Sequence, residues 1–323
     1  MRRLIVDDLI DDVRQMLDEE NEFTIDDERD ILPALNRGQD YCANILARHY
    51  EPPLLTFESV DVDGTTDTFD LPENALEQRL EKIDVSVNGN YYPVKRVSYR
   101  DMAEYESDNL KVQVPTYYAV IGDTFKLIPA PSGTYNLRIW YLKDPLPLVK
   151  QQGRITLINV SSNYLIVDSA GSDLSTTTTS LSSYVNLVDG QSGRIKASMQ
   201  VQSVDGNRIK FKTTPDRTNV LNSTIVGEIP TTIEEDDYIC LSSGSCVPFM
   251  KKPTANFMIQ YAVSELKRKL GYPVDAEENK LKALEDQVEG SWIGREITQR
   301  VKKRSRQWSS NGRRFWINSG SGN

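Results

Sequence analysis

Residues 82–97 read Lys82-Ile83-Asp84-Val85-Ser86-Val87-Asn88-Gly89-Asn90-Tyr91-Tyr92-Pro93-Val94-Lys95-Arg96-Val97. Apolar residues alternate before Asn88-Gly89, and aromatic and β-branched residues follow it. Asn-Gly supplies two positions that tolerate positive φ, as a tight hairpin turn demands, so the stretch predicts two paired strands. A sheet therefore stands near the middle of this chain, and the segments on either side decide what it packs with.

Moving outward, the same period of two recurs. Leu55, Phe57 and Ser59 alternate into Asp63-Gly64, and Phe69 and Leu71 return, which predicts a hairpin. Ser98-Tyr99-Arg100-Asp101 caps a short helix through Met102 and Tyr105. Tyr117–Ile121, Gly122-Asp123 and Thr124–Ile128 predict another hairpin, and Tyr135–Tyr141 one more strand. From Gln151 to about Asp237 the composition shifts to Ser, Thr, Asn and Asp. Short strands recur there at Ile155–Ile158, Tyr164–Val167, Ile195–Val201, Ile209–Phe211 and Ile225–Ile229, the pattern of a small antiparallel barrel or sandwich. Residues Ser175–Ser180 are low in complexity and predict an exposed loop.

Both ends of the chain are helical by spacing. Leu4, Ile5, Leu9, Ile10, Val13, Met16 and Leu17 mark one amphipathic helix. Thr24 reads as the N-cap of a second, which runs to about Tyr50 and ends at Pro52-Pro53. Pro33 and Gly38 inside it imply a kink or a close helix contact. Phe257 to Leu270 predicts a third helix closed by Gly271, and a fourth restarts near Asp275 through Leu281, Leu284, Val288, Trp292 and Ile297. The expected fold is α+β: a helical bundle formed by the N- and C-terminal helices, a β-hairpin region, an inserted small antiparallel β-barrel or sandwich, and an extended C-terminal arm. The expected segments are 1–53 (bundle), 54–150 (hairpin region), 151–245 (β insertion), 246–306 (bundle) and 307–323 (arm).

Composition narrows the function classes. Hydrophobic residues make up 38% of the 323 and the net charge is −9, so the chain has material for a core and an acidic surface. It has no apolar run of membrane-spanning length and no secretory signal, which predicts a soluble protein made in a cytoplasm. His49 is the single histidine, which speaks against His/Cys zinc sites and most nucleophilic triads. Cys42 falls in a helical pattern as a small core residue. Cys240 and Cys246 flank Ser-Ser-Gly-Ser, and a reducing compartment favours their free thiols. Glu73, Glu77 and Glu81, and the pairs Asp7-Asp8 and Asp11-Asp12, read as solvated helix faces rather than acid pairs or metal ligands. Phosphate-binding loops, dinucleotide fingerprints and nucleophile elbows do not occur. No enzyme, cofactor or metal is expected. Tyr91, Tyr92, Tyr117, Tyr118, Tyr135 and Tyr141 read as packing or interface residues on alternating strands.

Charge is polarised along the chain, acidic over the first thirty residues and basic over the last thirty. The candidate interface lies in the basic end: Arg300, Lys302, Lys303, Arg304, Arg306 and Trp308, then Arg313, Arg314, Phe315, Trp316 and Ile317. Trp and Arg outside a core are typical interface anchors. DNA phosphates and a solvated helix end are the other readings of Arg300–Arg306, and pairing with an acidic neighbouring subunit ranks ahead of both.

Phe23-Thr24-Ile25-Asp26-Asp27-Glu28, Leu35-Asn36-Arg37-Gly38-Gln39-Asp40-Tyr41 and Leu71-Pro72 resemble the adaptor, or head-to-tail connector, proteins of tailed phages. Arg96-Val97-Ser98-Tyr99-Arg100-Asp101, Pro115-Thr116-Tyr117-Tyr118, Leu127-Ile128-Pro129-Ala130-Pro131 and the helix Ala255–Leu270 continue the likeness, which covers about 1–148 and 245–300. It implies a homo-oligomeric ring, usually of twelve copies, in the virion neck between capsid and tail. The ring would dock under the portal protein through a C-terminal arm, receive a downstream tail, nozzle or fibre protein, and let genomic DNA pass through its lumen. An acidic lumen would repel DNA and let it slide. The segment 151–237 departs from shorter members. Alternatives are another tail or baseplate component with an adhesin-like β module and, last, a carboxylate-dependent hydrolase.

Overall fold

The computed structural model describes residues 4–17, 25–49, 54–107, 114–174, 183–191, 193–220, 223–248 and 253–288. Along the chain come α1 (Val6–Leu17), a π-helical turn (Asp27–Ile31) and α2 (Leu32–His49). Strands β1 (Leu55–Val62), β2 (Thr68–Asp70), β3 (Ala75–Val87) and β4 (Asn90–Arg96) follow, then α3 (Met102–Ser107). After these run β5 (Tyr117–Ile121), β6 (Thr124–Ile128), β7 (Tyr135–Lys143), β8 (Gln151–Asn159) and β9 (Tyr164–Val167). The last strands are β10 (Tyr184–Val188), β11 (Ile195–Asp205), β12 (Arg208–Phe211), β13 (Asn219–Val220), β14 (Ser223–Thr224) and β15 (Tyr238–Leu241). Helix α4 (Pro253–Lys269) and a helix over 275–288 complete the described chain. The class is α+β, and strands dominate it.

Two compact units divide these elements. The first is almost entirely residues 46–249, and the second combines 7–45 with 250–323. In the second unit both ends of the chain meet. Gly38 makes that possible: a Cβ there would stand 3.3 Å from the Met258 backbone and 3.3 Å from the Tyr261 ring. The missing side chain lets α2 and α4 approach closely, so the contact expected from Gly38 is present. Tyr41 stacks on Phe257 with ring centroids 5.7 Å apart, and Arg37 Nε donates to Glu265 at 3.0 Å. Cys42 is fully buried nearby, and burial pushes its thiol up to about 12. Helix α4 ends where expected. Gly271 adopts φ +77°, and the Tyr272 N–H donates to the Lys267 carbonyl at 2.9 Å.

The cap of the second helical segment differs from expectation. Thr24 lies outside the described residues, and Asp26 does the capping, accepting from Glu28 N–H at 2.9 Å and Arg29 N–H at 2.8 Å. The turn it opens is π-helical before α2 becomes regular.

In the first unit, seven strands form one sheet in the order β1-β7-β3-β4-β5-β6-β2, antiparallel except for β4 against β5. Asn88 (φ +52°) and Gly89 (φ +80°) make the β3–β4 turn as the Asn-Gly pair requires. Leu80, Ile83, Val85, Phe125, Leu137 and Ile139 lead the core on one face of this sheet. The stretch 55–71 is not a hairpin. Strand β1 pairs with β7, and β2 pairs with β6. The Asp63 carboxylate accepts from the Thr65 and Thr66 N–H groups at 2.9 and 3.1 Å, and Gly64 closes against Gly133, so the chain turns away from its own strand. Glu77 and Glu81 also differ from the expected helix faces. Both lie on β3, where Glu77 takes φ +52° at an irregular register and Glu81 pairs with Arg79 at 2.8 Å.

The β insertion is a closed barrel in the order β10-β11-β12-β9-β8-β15. Closure leaves no unpaired edge. Its interior is filled by Leu165, Val185, Leu187, Met199, Ile209, Phe211 and Ile239, among others. Residues 225–229 contribute an isolated bridge instead of the expected strand, and β10 and β15 do the closing. The chain enters and leaves side by side: Ser245 N–H donates to the Pro147 carbonyl at 2.9 Å, and Val149 N–H donates to Ser245 at 3.1 Å. Cys240 and Cys246 are buried free thiols at this exit. The segment 175–180 lies outside the described residues.

Candidate interaction surface

All eleven residues of the candidate C-terminal interface, Arg300 to Ile317, lie outside the described residues. Among the described residues, aromatic and charged groups gather on one face of the sheet of the first unit. Period two puts Phe57, Ser59 and Asp61 of β1 on the face opposite the core. Register sets Trp140, Arg138 and Asn136 of β7 against them, and Lys82 and Asp84 of β3 on the other side of β7. Tyr91 of β4 joins the same face opposite Ser86.

These side chains hold one another in place. The Arg138 guanidinium lies 3.7 Å from the Tyr91 ring centre and 5.0 Å from that of Phe57. Such cation–π contacts contribute about 0.5–2 kcal/mol each and fix a long side chain flat between rings. Lys82 sits 4.7 Å over the Trp140 ring. Asp84, buried, accepts from the Trp140 indole N–H at 2.7 Å and from Lys82 at 2.9 Å, so its charge is balanced locally. The Tyr91 hydroxyl donates to Asn136 at 3.0 Å, and the Asn136 amide donates to Asp61 at 2.9 Å. The outcome is a rigid shelf whose rings still face outward: Phe57 is 45% exposed and Tyr91 36%.

At one end the shelf opens into a depression of about 530 Å³ lined by Asp61, Val62, Asp63, Ser86, Thr134, Tyr135 and Asn136. Two carboxylates and no cation line it. The hydrogen bonds from Thr65, backbone first, and from the Thr66 N–H hold the Asp63 carboxyl below the usual carboxylate range, so it is anionic at neutral pH. A shelf of ordered rings beside an acidic hollow has the chemistry to take a cationic, aromatic segment of protein.

The tyrosines read from sequence divide between roles. Tyr118 and Tyr141 are core residues, and burial raises both phenols. Tyr91 and Tyr92 are exposed. Phe57, Lys82, Arg138 and Trp140 were not singled out by sequence reasoning. Their signal was present as polar or aromatic residues at every second position, Phe57-Ser59-Asp61 and Asn136-Arg138-Trp140, and only the β1-β7-β3 order shows that these segments are neighbours.

Among the described residues, no group of three or more His, Cys, Asp or Glu gathers as a metal site. Likewise, no described helix is long and apolar enough to cross a membrane. The family model described as SU10 adaptor protein matches residues 5–168, half of the chain. No curated protein matches the sequence.

Proposed function

The chain belongs to the SU10 adaptor protein family, a family of tailed-phage adaptors, and on that premise we propose that it forms a ring in the virion neck. The ring joins the capsid portal to the tail. It is a structural part rather than a catalyst, and twelve copies is the number the family resemblance implies. The observation that carries the proposal is the family match over 5–168, which spans α1, α2 and the whole seven-stranded sheet.

In this proposal the C-terminal arm docks on the portal, with Arg313, Arg314, Phe315, Trp316 and Ile317 as its tip and Arg300, Lys302, Lys303, Arg304, Arg306 and Trp308 as its root. Genomic DNA passes through the lumen without sequence-specific contact, helped by the net charge of −9. The barrel is the natural seat for a downstream tail, nozzle or fibre protein. Leu157 and Val160 at its β8–β9 hairpin are 42% and 48% exposed, which supports a contact there. Assembly is expected in the host cytoplasm.

The test is capture of the portal by full-length protein and by protein lacking 300–323. Loss of capture on deletion is the expected outcome. Equal capture would overturn the arm's assignment.

A further inference from the structure

The described residues leave the aromatic shelf and its acidic hollow open to solvent, with Phe57 and Tyr91 exposed. Asp61 and Asp63 line the hollow without a cation among the lining residues, while Phe57, Tyr91 and Trp140 stand beside it, held by Arg138 and Lys82. The complement is a run of cations ending in an aromatic ring. The chain carries that sequence itself: residues 289–323 hold eight Lys and Arg against two Glu, and Arg300-Val301-Lys302-Lys303-Arg304-Ser305-Arg306 leads directly to Trp308.

We infer that residues 300–308 of a second copy of this chain dock on the Phe57–Tyr91–Trp140 shelf, with their cations over Asp61 and Asp63. The contact joins two different patches, so it is head-to-tail, and a head-to-tail contact that repeats by rotation closes into a ring. It divides the arm into two tasks. The basic root links neighbouring subunits, and the Arg313–Ile317 tip stays available to another partner. The charged part of the contact weakens as salt rises through the range where the screening length falls below about 8 Å. The inference rests on the ring reading proposed above and is independent of the portal being the arm's target.

The experiment places a photoreactive benzoylphenylalanine at Gln307 in the full-length chain and irradiates a mixture of isotopically labelled and unlabelled protein, alone and with portal. Cross-links between a labelled and an unlabelled chain, on peptides that contain Phe57, Tyr91 or Trp140, are expected. Their yield should fall about fivefold or more in the Asp61→Asn/Asp63→Asn double variant and in about 0.5 M salt. Asn keeps the oxygen that accepts from the Thr65 and Thr66 N–H groups and from Asn136, and the Thr65 hydroxyl, which donates to the other Asp63 oxygen at 2.8 Å, can turn to accept from the new amide, so the fold is retained. Cross-links confined to one chain, cross-links on Asp7–Asp12 of α1 or any other surface, or a yield indifferent to the double variant would overturn the docking face. Sedimentation of the unmodified chain under the same conditions separates the two failures. An assembly that cross-links elsewhere sinks this contact alone, and a chain that stays monomeric even with portal sinks the ring and the contact with it.

Discussion

The barrel and the helical unit are not held together alike. In the barrel, buried side-chain amides bind backbone groups. Asn163 donates to the carbonyls of Phe211 and Gly227 at 3.1 and 2.8 Å and accepts from Ile229 N–H at 3.1 Å. Asn186 donates to Gly244 at 2.9 Å and accepts from the Ser198 hydroxyl at 2.7 Å. The helical unit ties its segments by ion pairs, a means the barrel also uses in Lys196–Asp237 and Lys212–Asp216. Arg14 bonds Asp27 at 2.8 Å, Lys267 bonds Glu277 at 2.7 Å, Arg268 bonds Glu278 at 2.6 Å, and Lys269 pairs with Asp30. Arg268–Glu278 is exposed and adds little, Arg14–Asp27 and Lys267–Glu277 are part-buried, and a fully buried amide that loses its partner costs about 1–3 kcal/mol. Closure and buried amides therefore make the barrel the harder of the two to open locally.

The largest expected effect that tests this contrast is in the barrel. Phe211→Ala empties a fully buried site and should cost about 3–5 kcal/mol. Hydrogen exchange should then show protection lost across β8–β12 and β15 while α2 and α4 keep theirs. Simultaneous loss in both units would break the distinction. Next in size is Gly38→Leu, which overfills the α2–α4 approach and should cost about 1–3 kcal/mol. Faster exchange in 32–45 and 253–269, with barrel amides unchanged, is the expected signature.

The smallest effect is that of acid. Lys269 holds Asp30, and Lys267 holds Glu277, below the ordinary carboxylate values of 3.8 and 4.5. Carboxyls lowered in the folded state stabilise it above those ordinary values, and that contribution is lost as pH falls through the lowered ones. Taking the pH from 7 to 3 should therefore loosen the junctions of α4 with the π-helical turn and with the 275–288 helix. The described barrel region has one comparable carboxylate, Asp216, lowered by Lys212 and Gln200. Exchange measured at both pH values should change more in the helical unit; an equal change would remove the contrast.

Local chemistry was legible where it was strong. The Asn88-Gly89 and Gly122-Asp123 turns each join neighbouring antiparallel strands, because a glycine with positive φ fixes the reversal within a few residues. Asp63-Gly64 carried the same signal and misled. Its carboxylate is committed to Thr65 and Thr66, and β1 finds its partner 73 to 87 residues away in β7 (Leu55 faces Leu142, Val62 faces Tyr135). Strand β10 was missed for the opposite reason. All five residues of Tyr184-Val185-Asn186-Leu187-Val188 are buried, so no alternation of polar and apolar marks it.

The sequence by itself determined the α+β class, the helices at both ends and the adaptor family, since periodicity, caps and family motifs are local or ordered along the chain. Only the tertiary structure decided that the inserted strands close into a barrel, and that Phe57, Tyr91, Arg138 and Trp140 share one face. Strand order in a sheet is set by which apolar faces can be buried together, and that is a property of the packed molecule that no window of residues contains.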